Sequence, residues 1–78
     1  MTAPPPKLPT PREVLEIYAQ DKDSGFKLNA WKILTAKYPV KRVFFVLMKL
    51  ADADLIEYGT SACYGWPTDK GRNYLASH

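Results

Sequence analysis

The stretch from Pro39 to Tyr58 constrains the fold most, because its apolar pattern changes from helical to strand-like within a few residues. Its first part has apolar residues at three- and four-residue spacing, which places them on one face of a helix. They are Val40, Val43, Phe44, Leu47, Leu50 and Ala51. Pro39 suits a first helical turn, where a backbone N–H has no partner. From Leu55 the run is short and apolar and ends at Gly59, which predicts a strand entering a turn.

Positive charge is concentrated on this helix and on the segment before it. The net charge is only +3, but every charged residue between Ser24 and Ala51 is basic. These residues are Lys27, Lys32, Lys37, Lys41, Arg42 and Lys49. A segregated basic segment is typical of a surface that binds a polyanion, and DNA is the first candidate. The alternative is a solvated face that only keeps the protein in solution.

Composition limits the class of protein. A chain of 78 residues with 46% apolar and 24% charged residues predicts one small globular domain. The single Cys63 cannot form an internal disulfide, which favours a reducing compartment. No apolar run approaches the roughly 20 residues of a membrane span, and the N-terminus does not resemble a signal peptide. We therefore expect a cytoplasmic protein with no membrane partner.

Catalytic and metal-binding patterns are not found in the sequence. His78 is the last residue, Cys63 has no partner base, and no carboxylate pair or phosphate loop appears. The run from Asp21 to Gly25 resembles the start of a calcium loop, but Leu28 and Ala30 stand where that loop needs oxygen donors. The sequence predicts no enzyme, no metal and no cofactor.

The N-terminal part predicts a flexible arm followed by a helix. Residues 1–9 contain four prolines and one charge, and nothing in them can build a core. Thr10, Pro11 and Glu13 form a helix start with a capping box, and this first helix should end near Gln20. The domain is therefore expected to span residues 10–78.

The next segment predicts a short strand and a second helix. Residues 21–25 are expected to form a loop, and 26–28 alternate as in a very short strand that would pair with a later hairpin. Asn29 is a good cap for a helix over residues 30–37, with Ala30, Ile33 and Leu34 on its buried side and Trp31 as a further candidate for that side. Tyr38 precedes a proline and lies at a bend, so about three residues join the second and third helices.

The C-terminal part predicts a hairpin and a last helix. Residues 55–58 and 63–66 are β-prone and are separated by a short turn. Pro67 should close the second strand, since it cannot donate to a sheet ladder. Thr68 can cap a short helix that returns Tyr74 and Leu75 to the core.

The order of these elements resembles the winged helix-turn-helix family, of the kind found in small bacterial or phage regulators. The local resemblance is carried by Leu47-x-x-Leu50 before Leu55-Ile56, and by the run from Trp66 to Leu75 with its Lys-Gly and final Tyr-Leu. It implies an α+β fold of three helices, a two-stranded β-hairpin wing and a short C-terminal helix. Asp54 stands where the family often has Gly, and Asp tolerates left-handed backbone better than most residues.

The resemblance implies double-stranded DNA binding, with the third helix in the major groove. Lys41 and Arg42 would reach base edges, where Arg can pair with guanine, and Phe45 could contact a thymine methyl. Lys32, Lys37 and Lys49 fit phosphate contacts. The predicted function is a small transcriptional regulator.

Aromatic residues of uncertain burial support an alternative function to DNA binding. They are Trp31, Phe45, Tyr64 and Trp66. Their presence leaves open a winged-helix adaptor that binds another protein and no DNA. No helix outside the core is available for dimerisation, so we expect a monomer in isolation and leave open a dimer on DNA.

Overall fold

The fold is α+β, with helices and one small antiparallel sheet in the described part of the chain. The computed structural model describes residues 8–58 and 64–77. The elements are α1 Pro11–Asp23, α2 Ala30–Lys37, α3 Val40–Asp52, β1 Ile56–Tyr58, β2 Gly65–Pro67 and α4 Asp69–Ser77. This order is compatible with a winged-helix layout. None of the described helices is long and apolar enough to cross a membrane.

Local capping fixes the helix starts where the sequence predicts them. The Thr10 hydroxyl accepts the Glu13 N–H at 3.1 Å, the Asn29 side chain accepts the Lys32 N–H at 3.1 Å, and the Thr68 hydroxyl accepts a backbone N–H of α4 at 3.0 Å. α2 has the expected bounds. Asp54, after α3, has a left-handed φ of 62°. This agrees with the sequence analysis, in which Asp54 stands at a family Gly position and tolerates left-handed backbone.

The core lies between the first three helices and β1. Its buried members are Val14, Leu15, Tyr18, Ala30, Leu34, Val43, Val46, Leu47, Leu50 and Ile56, with Tyr74 and Leu75 of α4 packed against them as expected. The predicted buried face of α3 was partly wrong, because Val40 and Phe44 are exposed and Val46 is buried instead. Ile33 of α2 was also expected inside and is exposed.

The predicted hairpin strands are confirmed to within two residues. β1 and β2 pair antiparallel, with Ile56 opposite Pro67, Glu57 opposite Trp66 and Tyr58 opposite Gly65. The turn between them and Cys63 lie outside the described residues.

The predicted strand at residues 26–28 is wrong, and Asp21 explains why. Asp21 was assigned to a loop, but α1 continues to Asp23 and buries the Asp21 side chain completely. Its carboxylate accepts the backbone N–H groups of Leu28, Asn29 and Ala30, each at 3.0 Å. Within the predicted strand, the N–H groups of Phe26, Lys27 and Leu28 donate to the Asp21 carbonyl, the Ser24 hydroxyl and the Asp21 carboxylate, respectively. These contacts occupy the donors that the strand would have used for pairing. Together with the φ of 65° at Phe26, they shape a tight loop that enters α2.

The described end of the N-terminal arm lies against the domain. Pro9 is buried, and Leu8 is 37% exposed. Residues 1–7 lie outside the described part, so flexibility of the arm stays a prediction there.

Candidate nucleic-acid interface

α1 holds the start and the end of α2 and so positions the helix that follows. The three backbone N–H groups bound by Asp21 lie at the N-terminus of α2. At the other end, Glu13 Oε2 accepts from Lys37 Nζ at 2.7 Å and Glu13 Oε1 accepts from the Tyr38 hydroxyl at 2.7 Å. α3 begins two residues after Tyr38, so its start is tied to α1 through this cluster.

The cluster of Glu13, Lys37 and Tyr38 has perturbed acidities. The hydrogen bond from Lys37 is the main reason that the pKa of Glu13 is lowered from its ordinary 4.5, against the desolvation that partial burial brings. The Tyr38 hydroxyl and the Thr10 backbone lower the pKa of Glu13 further, and the Thr10 contribution is the second half of the capping box. Glu13 in turn raises the pKa of Lys37 and of Tyr38.

The exposed surface of α3 carries both cations and large apolar side chains. Its outer face, defined as Val40, Lys41, Phe44, Phe45 and Met48, points away from the core. At roughly 100° per residue, Lys41, Phe45 and Met48 lie opposite the buried side chains of the helix. Val40 is 55% exposed, Phe44 43%, Phe45 49% and Met48 46%. Arg42 and Lys49 are exposed on one flank of this face.

Four of the six predicted site residues lie on α3, and the other two, Lys32 and Lys37, lie on α2. Lys41, Arg42, Phe45 and Lys49 all lie on the exposed side of α3, and Lys49 Nζ lies 5.4 Å from the centre of the Phe45 ring. Lys32 is exposed on α2. Among the described residues, neither Lys32, Lys41, Arg42 nor Lys49 has an ion-pair partner.

Lys37 differs from the other predicted cations, because its ammonium group is bound to Glu13. In the structure, the Lys37 ammonium group therefore joins the C-terminal end of α2 to α1. A phosphate would have to compete with that carboxylate for the same ammonium group.

Sequence reasoning missed three residues of this surface, Val40, Phe44 and Met48. Val40 and Phe44 were assigned to the core and Met48 to no face. Val46 could have revealed Phe44 and Met48 in the sequence. If Val46 is placed in the core with its neighbours on the helical wheel, Phe44 and Met48 turn outward. The buried residues of α3 are Val43, Val46, Leu47 and Leu50.

An apolar cleft borders the Lys49 flank of α3. Its volume is about 400 Å³, and it lies between the end of the arm, α3 and α4. Its lining residues are Leu8, Pro9, Pro11, Phe45, Val46, Lys49, Leu50, Ala53, Leu55 and Tyr74. Phe45 therefore lies at the edge between the cleft and the outer face.

The other aromatic residues of uncertain burial are partly accounted for by packing. Trp31 packs against the core. Phe26 lies edge-on to Tyr64 at 5.9 Å and to Trp66 at 6.5 Å, and Lys22 Nζ lies 5.2 Å from the Trp66 ring centre. Tyr64 still exposes 57% of its surface.

Glu57 is exposed on β1, and it is the only charged residue of the two strands. The described strands thus offer a phosphate backbone no cation.

Comparison with protein-family models, with curated proteins and with solved structures finds no match for this chain.

Proposed function

We propose that this chain is a winged helix-turn-helix protein that binds double-stranded DNA through α3 and acts in transcription regulation. The observation that carries the proposal is the exposed side of α3, where Lys41, Arg42 and Lys49 have no ion-pair partner among the described residues. Cations that are not neutralised within the protein are available to replace the counterions of a phosphate backbone.

The candidate DNA-contacting residues fall into groups according to their positions on α3 and α2. Lys41 and Arg42 lie in its first turn, the part of a recognition helix that usually reaches base edges. Lys49 lies two turns further along and Lys32 lies on α2, and both fit phosphate contacts. Lys37 is left in a secondary role, because contact with a phosphate would cost the pair with Glu13.

A mobility shift with arbitrary duplex DNA at several salt concentrations tests the proposal. We expect non-specific binding with a dissociation constant on the order of 10⁻⁴–10⁻⁶ M at physiological salt, and tighter binding at low salt. Replacing both Lys32 and Lys49 by Ala should reduce the slope of log affinity against log salt by up to about two units, because both fit phosphate contacts.

Lys70→Ala is the matched control, because it removes one exposed cation from α4. It should leave the slope nearly unchanged. An effect of Lys70→Ala as large as that of the double variant would place the DNA on another surface. No shift at any salt concentration would overturn the proposal itself.

A protein-binding adaptor is the second candidate, and the apolar part of the outer face favours it. Large exposed apolar patches mark interaction sites, and aromatic residues, Met and Arg are enriched in protein interfaces. An adaptor would show no salt-dependent shift with DNA, so the same experiment separates the two candidates.

A further inference from the structure

The outer face of α3 exposes more large apolar surface than phosphate contacts require. Phe44 and Met48 are one helical turn apart, and Phe45 lies beside them. All three are more than 40% exposed. A cluster of this kind on a small domain marks a surface that is covered by a partner.

The charges around the cluster restrict that partner. Lys41 lies within the outer face, Arg42 and Lys49 lie on its flank, and the first carboxylate of α3 is Asp52 at its last turn. A second copy of this chain packed on the same face would bring like charges together. The surface is complementary to a partner that is anionic overall and presents apolar groups between its charges.

Duplex DNA has this arrangement in its major groove. The 5-methyl group of thymine is an apolar group on the groove floor, and phosphates line both sides. A helix placed with its outer face toward the floor would bring Phe44, Phe45 and Met48 to base edges. Lys49, on the flank of this face, would then face the phosphates of one strand.

We propose that α3 selects DNA sites by contacting thymine methyl groups with Phe44, Phe45 and Met48. This inference rests on the proposed DNA-binding function and extends the thymine methyl contact expected of Phe45 to the exposed Phe44 and Met48. Phe44 and Met48 are separated by about 6 Å along the helix axis, which is close to two base-pair steps of 3.4 Å. The preferred sites should therefore contain thymines within two or three neighbouring base pairs.

Deoxyuridine provides the direct test, because it pairs as thymidine does and lacks only the methyl group. Duplexes bound by the wild-type protein are enriched from a random 20-base-pair library and then amplified with dUTP in place of dTTP. Burial of one methyl group is worth about fourfold in affinity, so two contacts should give a loss of about 15-fold. The enriched pool should also be rich in A·T pairs.

Variants assign the effect to the outer face. Phe44→Ala and Met48→Ala should each reduce the ratio of thymidine to deoxyuridine affinity by about fourfold. Ile33→Ala is the matched control, because it removes an exposed apolar side chain from α2 and should preserve the ratio. Circular dichroism of each variant checks that the helices are intact.

The outcomes separate this inference from the proposed function. Equal affinity for the two forms of the enriched pool would overturn methyl readout while leaving DNA binding in place. A ratio that survives the Phe44 and Met48 variants would also overturn it. If neither pool binds at low salt, both proposals fail, and an acidic protein becomes the partner to seek.

Discussion

Removal of the Asp21 carboxylate should destabilise the domain more than any other single change at a charged residue. In the Asp21→Ala variant three backbone N–H groups lose their acceptor. Ala30 is fully buried, so its N–H would be left unpaired at a cost of about 1–3 kcal/mol. Leu28 and Asn29 are exposed, and water can replace part of their bonds, which adds about 0.5–1 kcal/mol each. The expected loss is about 2–5 kcal/mol.

That loss is large for a chain of this length. At about 0.05–0.15 kcal/mol per residue, the free energy of unfolding is roughly 4–12 kcal/mol. Urea unfolding followed by tryptophan fluorescence measures the change, because Trp31 packs on the core and Trp66 lies beside the loop after α1. With a slope of about 1 kcal/mol per molar urea, the midpoint should fall by about 2 M or more.

Asp23→Ala is the matched control, two residues further along the same helix. The Asp23 side chain is 66% exposed and its pair with Arg72 is 3.3 Å long, so its loss should cost less than about 1 kcal/mol. Asp21→Asn should fall between the wild type and Asp21→Ala, because the amide keeps one acceptor oxygen and turns an NH₂ group toward the remaining donor. If Asp21→Ala were no less stable than Asp23→Ala, the bonds would not hold the loop and α2 as described.

Two further changes test the packing of α4 and the cluster at the end of α2. Gly71→Ala would place a Cβ in steric conflict with the backbone oxygen of Leu55, so we expect the free energy of unfolding, measured in urea, to fall by about 1–3 kcal/mol. At an open helical site the same change would raise it. Asn73→Ala, at an exposed site of α4, is the control, and a stabilised Gly71→Ala variant would contradict the contact. Because folding lowers the pKa of Glu13, the ionised carboxylate stabilises the folded state fully at pH values above the unfolded pKa near 4.5. This stabilisation is lost as the pH falls through the folded pKa. The difference in urea midpoint between wild type and Glu13→Gln should therefore shrink between pH 7 and pH 3, and a constant difference would show that the pair with Lys37 does not contribute.

Features that depend on neighbouring residues could be predicted from the sequence. Thr10, Asn29 and Thr68 cap helices through bonds that span three residues, so the helix starts follow from local chemistry. The bend at Tyr38 and Pro39 also follows from a local steric rule. These signals need no knowledge of the rest of the fold.

Features that depend on distant partners could not be predicted. The carboxylate of Asp21 binds N–H groups seven to nine residues away, and a polarity pattern assigns such a residue to a loop. The outer face of α3 was missed for a different reason. Both sides of this helix are apolar, so periodicity alone could not decide whether Phe44 or Val46 is buried.

Two of the carboxylates of α1, those of Glu13 and Asp21, explain how a helix as short as α2 is held in place. α2 has eight residues, too few for a stable isolated helix. Glu13 and Asp21 are eight residues apart, about 12 Å along α1, which matches the length of α2. Asp21 binds the N-terminus of α2, where the helix dipole favours negative charge, and Glu13 binds Lys37 at its C-terminus. α1 therefore fixes where α2 begins and ends, and through the short connection it sets where the exposed surface of α3 starts.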